Sequence, residues 1–172
     1  QKGWEISCHG FSHKRFDDLS LKEKREELEA CMRVWKKELG FRPKGFRAPQ
    51  HSIDGETLDL LKELGFVYDS SYTPGNLLQW LFFPRRPGSA LRLFFSWPWR
   101  HQIRQGLEER PVSALGVPPV SLVVRVFPAW LVRLYFSLLE VVFGSVMFYA
   151  HSWDFIEQKE SREDQRWGYK GW

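Results

Sequence analysis

Gly3-Trp4-Glu5-Ile6-Ser7-Cys8-His9-Gly10-Phe11-Ser12-His13 is the stretch from which the rest of this chain is read. The short apolar run from Trp4 to Cys8 predicts a strand, with His9 at its C-terminal end. His13 follows four residues later. If a strand ends there and a turn begins, both imidazoles lean toward one point, which is the geometry of a metal site. The metalloprotease helix also spaces two histidines by four residues, but it needs a Glu directly after the first to act as general base. Gly10 stands in that position, so the protease reading falls. An isolated pair of this kind is more often two surface or hydrogen-bonding histidines, and residues further along the chain decide the balance.

Working outward, Ser20 with Glu23 forms a capping-box pattern. Apolar residues then recur at Leu28, Cys31, Met32, Trp35 and Leu39, and Gly40 stands where a C-cap belongs, which predicts a helix over Leu21 to Leu39. Gly45 to Ala48 predicts a short strand that presents Arg47 at its end, and Pro49 fixes an extended exit. Asp54 is an N-cap for a second helix running through Leu64, with Gly65 as its stop. Phe66 to Tyr68 predicts the next strand, ending at Asp69. Strand and helix alternate with short links, the pattern of a parallel α/β arrangement.

From Thr73 to Arg110 that pattern dissolves. Trp80, Phe82, Phe83, Phe94, Phe95, Trp97 and Trp99 are interleaved with Arg85, Arg86, Arg92, Arg100 and Arg104. The expectation is an irregular insertion, residues 73–110, whose rings pack against the core; a sugar-stacking groove wall and a single-stranded nucleic-acid surface are the competing readings. Pro111 to Ala114 predicts another short strand. Pro128 is placed at helix position N1, and Ala129 to Phe143 follows with apolar residues on nearly every side. Such a helix needs a cover, for which the sheet with the insertion is preferred over a second chain. Gly144 ends it, and Val146 to Ala150 predicts a strand that delivers His151 at its C-terminal end. Residues 157–172 form a charged tail.

A length of 172 residues suits one domain with a real core, spanning 1–172. The formal charge of +4 is spread among interspersed Lys, Arg, Asp and Glu rather than blocked, so it makes no case for a nucleic-acid partner. Cys8 and Cys31 are too few for a disulfide framework and lack metal-motif spacing, which leaves two buried thiols. The longest apolar region, Val120 to Ala150, is broken by Arg125, Pro128, Arg133 and Glu140, so no transmembrane segment is expected.

Phe46-Arg47-Ala48-Pro49, Ser52-Ile53-Asp54-Gly55, Lys62 to Ser71 and Phe148-Tyr149-Ala150-His151-Ser152-Trp153-Asp154 follow the opening stretch in a recognisable order. Together they resemble the polysaccharide deacetylase family, the NodB-homology type of carbohydrate esterase, over most of residues 3–71 and 108–156. The resemblance implies an α/β fold, an irregular parallel (β/α) barrel with its active site on the face formed by the strands' C-terminal ends. It implies that His9 and His13 hold a divalent metal, zinc first among the candidates. It implies that Arg47 orients a catalytic carboxylate, that Pro49 lines the substrate groove, that His151 is the catalytic acid, and that Trp153 flanks the acetyl methyl group. The implied reaction is metal-dependent hydrolysis of N-acetyl or O-acetyl groups on a polysaccharide or amino-sugar substrate.

In that family a Thr-Phe-Asp-Asp-Gly-type segment upstream of the His pair supplies the base and the third metal ligand. None precedes Gly3, and Phe16-Asp17-Asp18 comes after the pair, in the wrong order. The expectation is therefore a barrel missing its first strand or strands, inactive alone unless another carboxylate substitutes. An exposed sheet edge would then invite a homo-oligomer. The alternative is a non-catalytic carbohydrate-binding or interaction module derived from a deacetylase. Asp69 and Asp154 are expected in turn or capping hydrogen bonds, and His51 and His101 in simple surface roles, which for His51 is preferred over reaching the groove.

Overall fold

The structure, a computed structural model, describes residues 5–77 and 87–150. Helix α1 (Leu21–Leu39) begins at a complete capping box: Glu23 N–H donates to Ser20 Oγ, and Glu23 Oε2 accepts from Ser20 N–H at 2.8 Å. Two of the helix's otherwise unpaired N-terminal donors are thereby satisfied. Gly40, at φ 77°, closes the other end in the left-handed conformation that only glycine adopts cheaply. The inner face buries Leu28, Cys31 and Met32, while Lys22 with Glu26 and Arg25 with Glu29 pair along the solvent side.

Strand β1 (Gly45–Phe46) leads through a 3-10 turn (Pro49–His51) into helix α2 (Gly55–Glu63) and then strand β2 (Tyr68–Asp69). Asp54 caps α2 by accepting from Thr57 N–H at 2.9 Å. The two strands pair in parallel, Gly45 beside Tyr68 and Phe46 beside Asp69, so β1-α2-β2 is the expected crossover unit. Cys8 extends this sheet as a single parallel bridge to Phe46, with Cys8 N–H on Gly45 O and Arg47 N–H on Cys8 O, both at 2.9 Å. Among the described residues the opening strand is thus reduced to one bridged residue, and the strand expected over Gly45 to Ala48 to two.

The region expected to be irregular is more ordered than its sequence suggests. Helix α3 (Pro87–Phe94) is followed by strands β3 (His101–Arg104) and β4 (Leu107–Glu109), an antiparallel hairpin turning at Gly106, φ 83°. Strand β4 pairs in parallel with β2, giving the order β1-β2-β4-β3. Among the described residues the fold is mixed α/β and the sheet is mainly parallel, with one antiparallel edge, and stays open. That agrees with the expected fold class but stops short of a closed barrel.

Phe16, Phe46 and Phe66 meet edge to face, with ring centroids 5.1 and 6.1 Å apart, and Leu28, Leu58, Leu61, Leu93 and Leu107 fill in around them. Each fully buried Leu contributes about 1.5–3 kcal/mol of transfer free energy. Cys8 and Cys31 are free and buried, as expected; their mutual hydrogen bond, then burial, raises the Cys8 thiol pKa.

Pro111 to Ala114 forms no strand and holds to the sheet side through Val112 N–H on Tyr72 O at 2.8 Å. Beyond it lie helices α4 (Ser121–Val126) and α5 (Ala129–Phe143). Pro128 is the N-cap of α5 rather than its first turn, since its carbonyl accepts from both Leu131 and Val132. Val146 to Ala150 contributes one parallel bridge, Tyr149 to Val120, in place of the expected strand. No helix among the described residues is long and apolar enough to cross a membrane.

Candidate active site

The parallel register brings Cys8, Phe46, Asp69 and Glu109 into one row, so the residues after them share the sheet's C-terminal edge. His9 and Arg47 follow Cys8 and Phe46 directly. His9 Nδ1–H donates to Arg47 O at 2.8 Å, which fixes the tautomer and leaves Nε2 as the ring's lone-pair donor. The His13 ring meets the His9 ring edge-on, with centroids 5.0 Å apart.

The turn between the two histidines is built from helix α1. Glu27 Oε2 accepts from Phe11 N–H at 3.0 Å and Ser12 N–H at 2.8 Å, and Glu27 Oε1 accepts from Ser12 Oγ at 2.5 Å. Burial works to raise the Glu27 pKa, but these donors outweigh it and hold the carboxyl below its usual value. Gly10 at φ 77° and His13 at φ 57° make the reversal. A Cβ on Gly10 would also press to 3.3 Å from the Phe16 ring.

Arg47 is tied to the β2 exit by Nε–H on Ser70 O at 2.9 Å and Nη2–H on Ser70 Oγ at 2.7 Å, and Ser70 Oγ–H in turn donates to Arg110 O at 2.7 Å. Burial lowers the pKa of this guanidinium, yet it remains a cation at any working pH. Its face lies 5.7 Å from the centre of the Tyr149 ring. Pro49 begins the 3-10 turn beside it and is buried.

Two residues of this edge escape a sequence reading. Glu109 is fully buried beside Asp69; its Oε1 accepts from Tyr72 N–H at 3.1 Å, and Oε2 has no hydrogen-bond partner. Burial first, and the Asp69 charge second, push Glu109 well above the usual carboxylate range. Asp69 makes the turn hydrogen bonds expected of it, from Ser71 N–H and Ser71 Oγ, but it does so with no exposure, and burial raises its pKa too. His51 is not the simple surface residue expected. It is half-buried, its Nδ1–H donates to Ser71 O at 3.1 Å, its ring faces Tyr149 at 5.7 Å, and burial pushes its pKa down to about 3. Gln50 and His51 both have positive φ, 52° and 57°, a strained pair of the sort that gathers at functional sites.

Three aromatic rings of the insertion depart from expectation as well, while Trp80, Phe82 and Phe83 lie outside the described residues. Phe95, Trp97 and Trp99 are 75%, 60% and 45% exposed rather than packed into the core. Asp17 pairs with Arg15 at 2.8 Å, and Arg15 reaches Gln50 Oε1, so the Phe16-Asp17-Asp18 turn braces this edge from outside. His151 and Trp153 lie outside the described residues. The structure therefore brings together His9, His13, Arg47 and Pro49, and adds His51, Asp69, Glu109 and Tyr149 to their surroundings.

Two imidazoles, one with its tautomer fixed, suit half of a divalent-metal site. Among the described residues no group of three or more His, Cys, Asp or Glu side chains is arranged to hold an ion.

The polysaccharide deacetylase family profile matches residues 1–68. Peptidoglycan deacetylase-like protein FGM2 of Gibberella zeae is 39% identical over 69 residues, covering 40% of this chain and 20% of that protein. A crystal structure from Mycobacterium smegmatis, named for the polysaccharide deacetylases, superposes with a TM-score of 0.56 at 20% identity, covering 86% of this chain and 49% of the other. At that identity the likeness is one of fold. The chain spans about a fifth of the curated relative and about half of the structural one.

Proposed function

Because the chain belongs to the polysaccharide deacetylase family through residues 1–68, we propose that it serves the hydrolytic removal of acetyl groups from a polysaccharide or amino-sugar substrate, N-acetyl before O-acetyl. The observation that carries this reading is the His9–His13 pair at the C-terminal edge of parallel strands, with His9 Nδ1 committed to Arg47 O. His9 Nε2 and the His13 ring would hold a divalent metal, zinc first among the candidates, together with a ligand beyond the described residues. When bound, such an ion polarises a carbonyl and lowers the pKa of water.

The chain's own groups have separable tasks. Arg47, clamped by Ser70, presents a fixed positive charge that orients a carboxylate at the edge. Pro49 and the strained Gln50-His51 turn form a rigid wall for the sugar. Tyr149 stands against both Arg47 and His51 at this edge. His151 would give a proton to the leaving amine as general acid, with Trp153 beside the acetyl methyl. Burial raises the pKa of both Asp69 and Glu109, which disfavours two full negative charges beneath Arg47.

Acetate release from acetylated amino-sugar oligomers tests the reading, comparing the chain with zinc, with chelator, and as His9→Ala and His151→Ala. Release that requires zinc and both histidines supports it. Oligomer binding that ignores chelator, without release, would favour a non-catalytic carbohydrate-binding module.

A further inference from the structure

Helix α5 is apolar on the wrong side. Its inward residues are Val132 and Leu139, at 9% and 0% exposure, yet Trp130, Leu134 and Val141 face solvent at 68%, 61% and 83%. With the exposed Ser137 they repeat at spacings of four, three and four, a seam of coiled-coil period. Soluble monomers seldom leave such a stripe open.

The flank of the stripe says what covers it. Arg133 and Glu140 are both exposed and stand seven residues apart, at the same heptad position, directly beside the seam. A second α5 laid antiparallel about a two-fold axis between residues 135 and 136 sets Trp130 against the partner helix's Val141 and Leu134 against its Ser137, large against small in each layer. The same operation puts Arg133 of each copy beside Glu140 of the other, twice over. A membrane-surface helix needs a cationic polar face. Here the two flanking charges cancel, which argues for a protein partner of the same design. We infer that α5 is an isologous dimerisation surface, and that its partner is a second copy of this chain joined through an antiparallel α5–α5 seam.

This moves self-association from the sheet edge to a helix, and it does not depend on deacetylase activity. A 15-residue helix is about 22 Å long. Its seam is therefore a small interface, with affinity expected on the order of micromolar.

Sedimentation velocity of the full chain from about 1 to 100 µM reads the equilibrium. The expected result is a monomer–dimer transition abolished by Leu134→Glu. Because that variant could disturb folding, the charge pair provides an independent arm. Arg133→Glu should weaken the dimer about tenfold, and Arg133→Glu with Glu140→Arg should restore it. A folded monomer at 100 µM, a dimer indifferent to Arg133→Glu, or a double reversal that fails to restore association overturns the inference. Cosedimentation of the monomer with anionic phosphatidylserine vesicles would assign the stripe to a membrane instead.

Discussion

Asp69 and Glu109 stand side by side across the parallel β2–β4 pair, both without solvent exposure, and only one of Glu109's two oxygens is hydrogen-bonded. The folded chain binds a proton here that the unfolded chain releases at a lower pH, because both carboxyl pKa values are raised by burial. The pair's contribution to stability is therefore greatest in acid and declines as pH rises from the unfolded carboxylate value toward the folded one. The slope is at most about 1.4 kcal/mol per pH unit for each proton retained. Glu109→Gln keeps an acceptor for Tyr72 N–H and removes that titration. Urea unfolding from pH 4 to 8 should show the variant matching wild type in acid and exceeding it at neutrality. A constant difference across the range would mean that Glu109 is already ionised in the fold.

Lys24 tests the opposite sign. Its side chain is 2% exposed and bridges α1 to α2, with Nζ–H on Asp54 Oδ2 at 2.7 Å and on Glu56 Oε2 at 2.8 Å. Burial works to raise the Asp54 pKa, but the Lys24 and Thr57 hydrogen bonds outweigh it and hold Asp54 low. This contribution is present above the unfolded carboxylate value and is lost as pH falls through the folded one. Lys24→Met keeps the aliphatic packing and removes both bonds. With Asp54 and Glu56 partly exposed, the cost should be about 1–2 kcal/mol in chemical denaturation at pH 7, shrinking toward pH 3.

Gly45 is required by a neighbour rather than by its own backbone. A Cβ there would fall 2.0 Å from the Tyr68 ring, whose hydroxyl is hydrogen-bonded to Ser7 Oγ at 2.5 Å. Gly45→Ala should cost about 1–3 kcal/mol through overpacking. In the background of Tyr68→Ala the same substitution should cost far less, a coupling that a double-mutant cycle in thermal or urea unfolding measures directly.

How far the sequence disclosed each element depended on how local its signal was. Helix α1 is announced by Ser20, Glu23 and Gly40 within its own length, and α2 by Asp54 and Gly65, so neither depends on distant contacts. The His9–Arg47 neighbourhood emerged once each was placed at a strand end. Helix α3 opens on Pro87-Gly88 amid arginines and aromatic rings, and the β3–β4 hairpin runs through His101, Gln102 and Arg104, so polar composition concealed both. Glu109 sits in Leu107-Glu108-Glu109-Arg110, which reads as a solvated run; only the register with Asp69 buries it. His51 was hidden by backbone conformation, since two successive positive φ values after Pro49 turn its ring inward.

Glu27 links the fold to the proposed metal pair through the turn between the two histidines. It stands on α1 and accepts three hydrogen bonds from Phe11 and Ser12, so the turn that brings the His13 ring to His9 is held by one carboxylate. Glu27→Gln leaves its stem and helix propensity nearly unchanged. It replaces one acceptor oxygen with an NH2 group that confronts the Ser12 or Phe11 donors, and the turn should loosen. If His9 and His13 bind the metal together, zinc affinity at pH 7 should fall by about tenfold, the size typical of lost supporting interactions around a metal site. His13→Ala, which removes a ligand, should fall further. Competition against a chromophoric chelator measures both, with circular dichroism to confirm that α1 is intact. Unchanged zinc affinity in Glu27→Gln alongside a loss in His13→Ala would show that the turn holds its shape without the carboxylate. Unchanged affinity in both would remove His13 from the metal site.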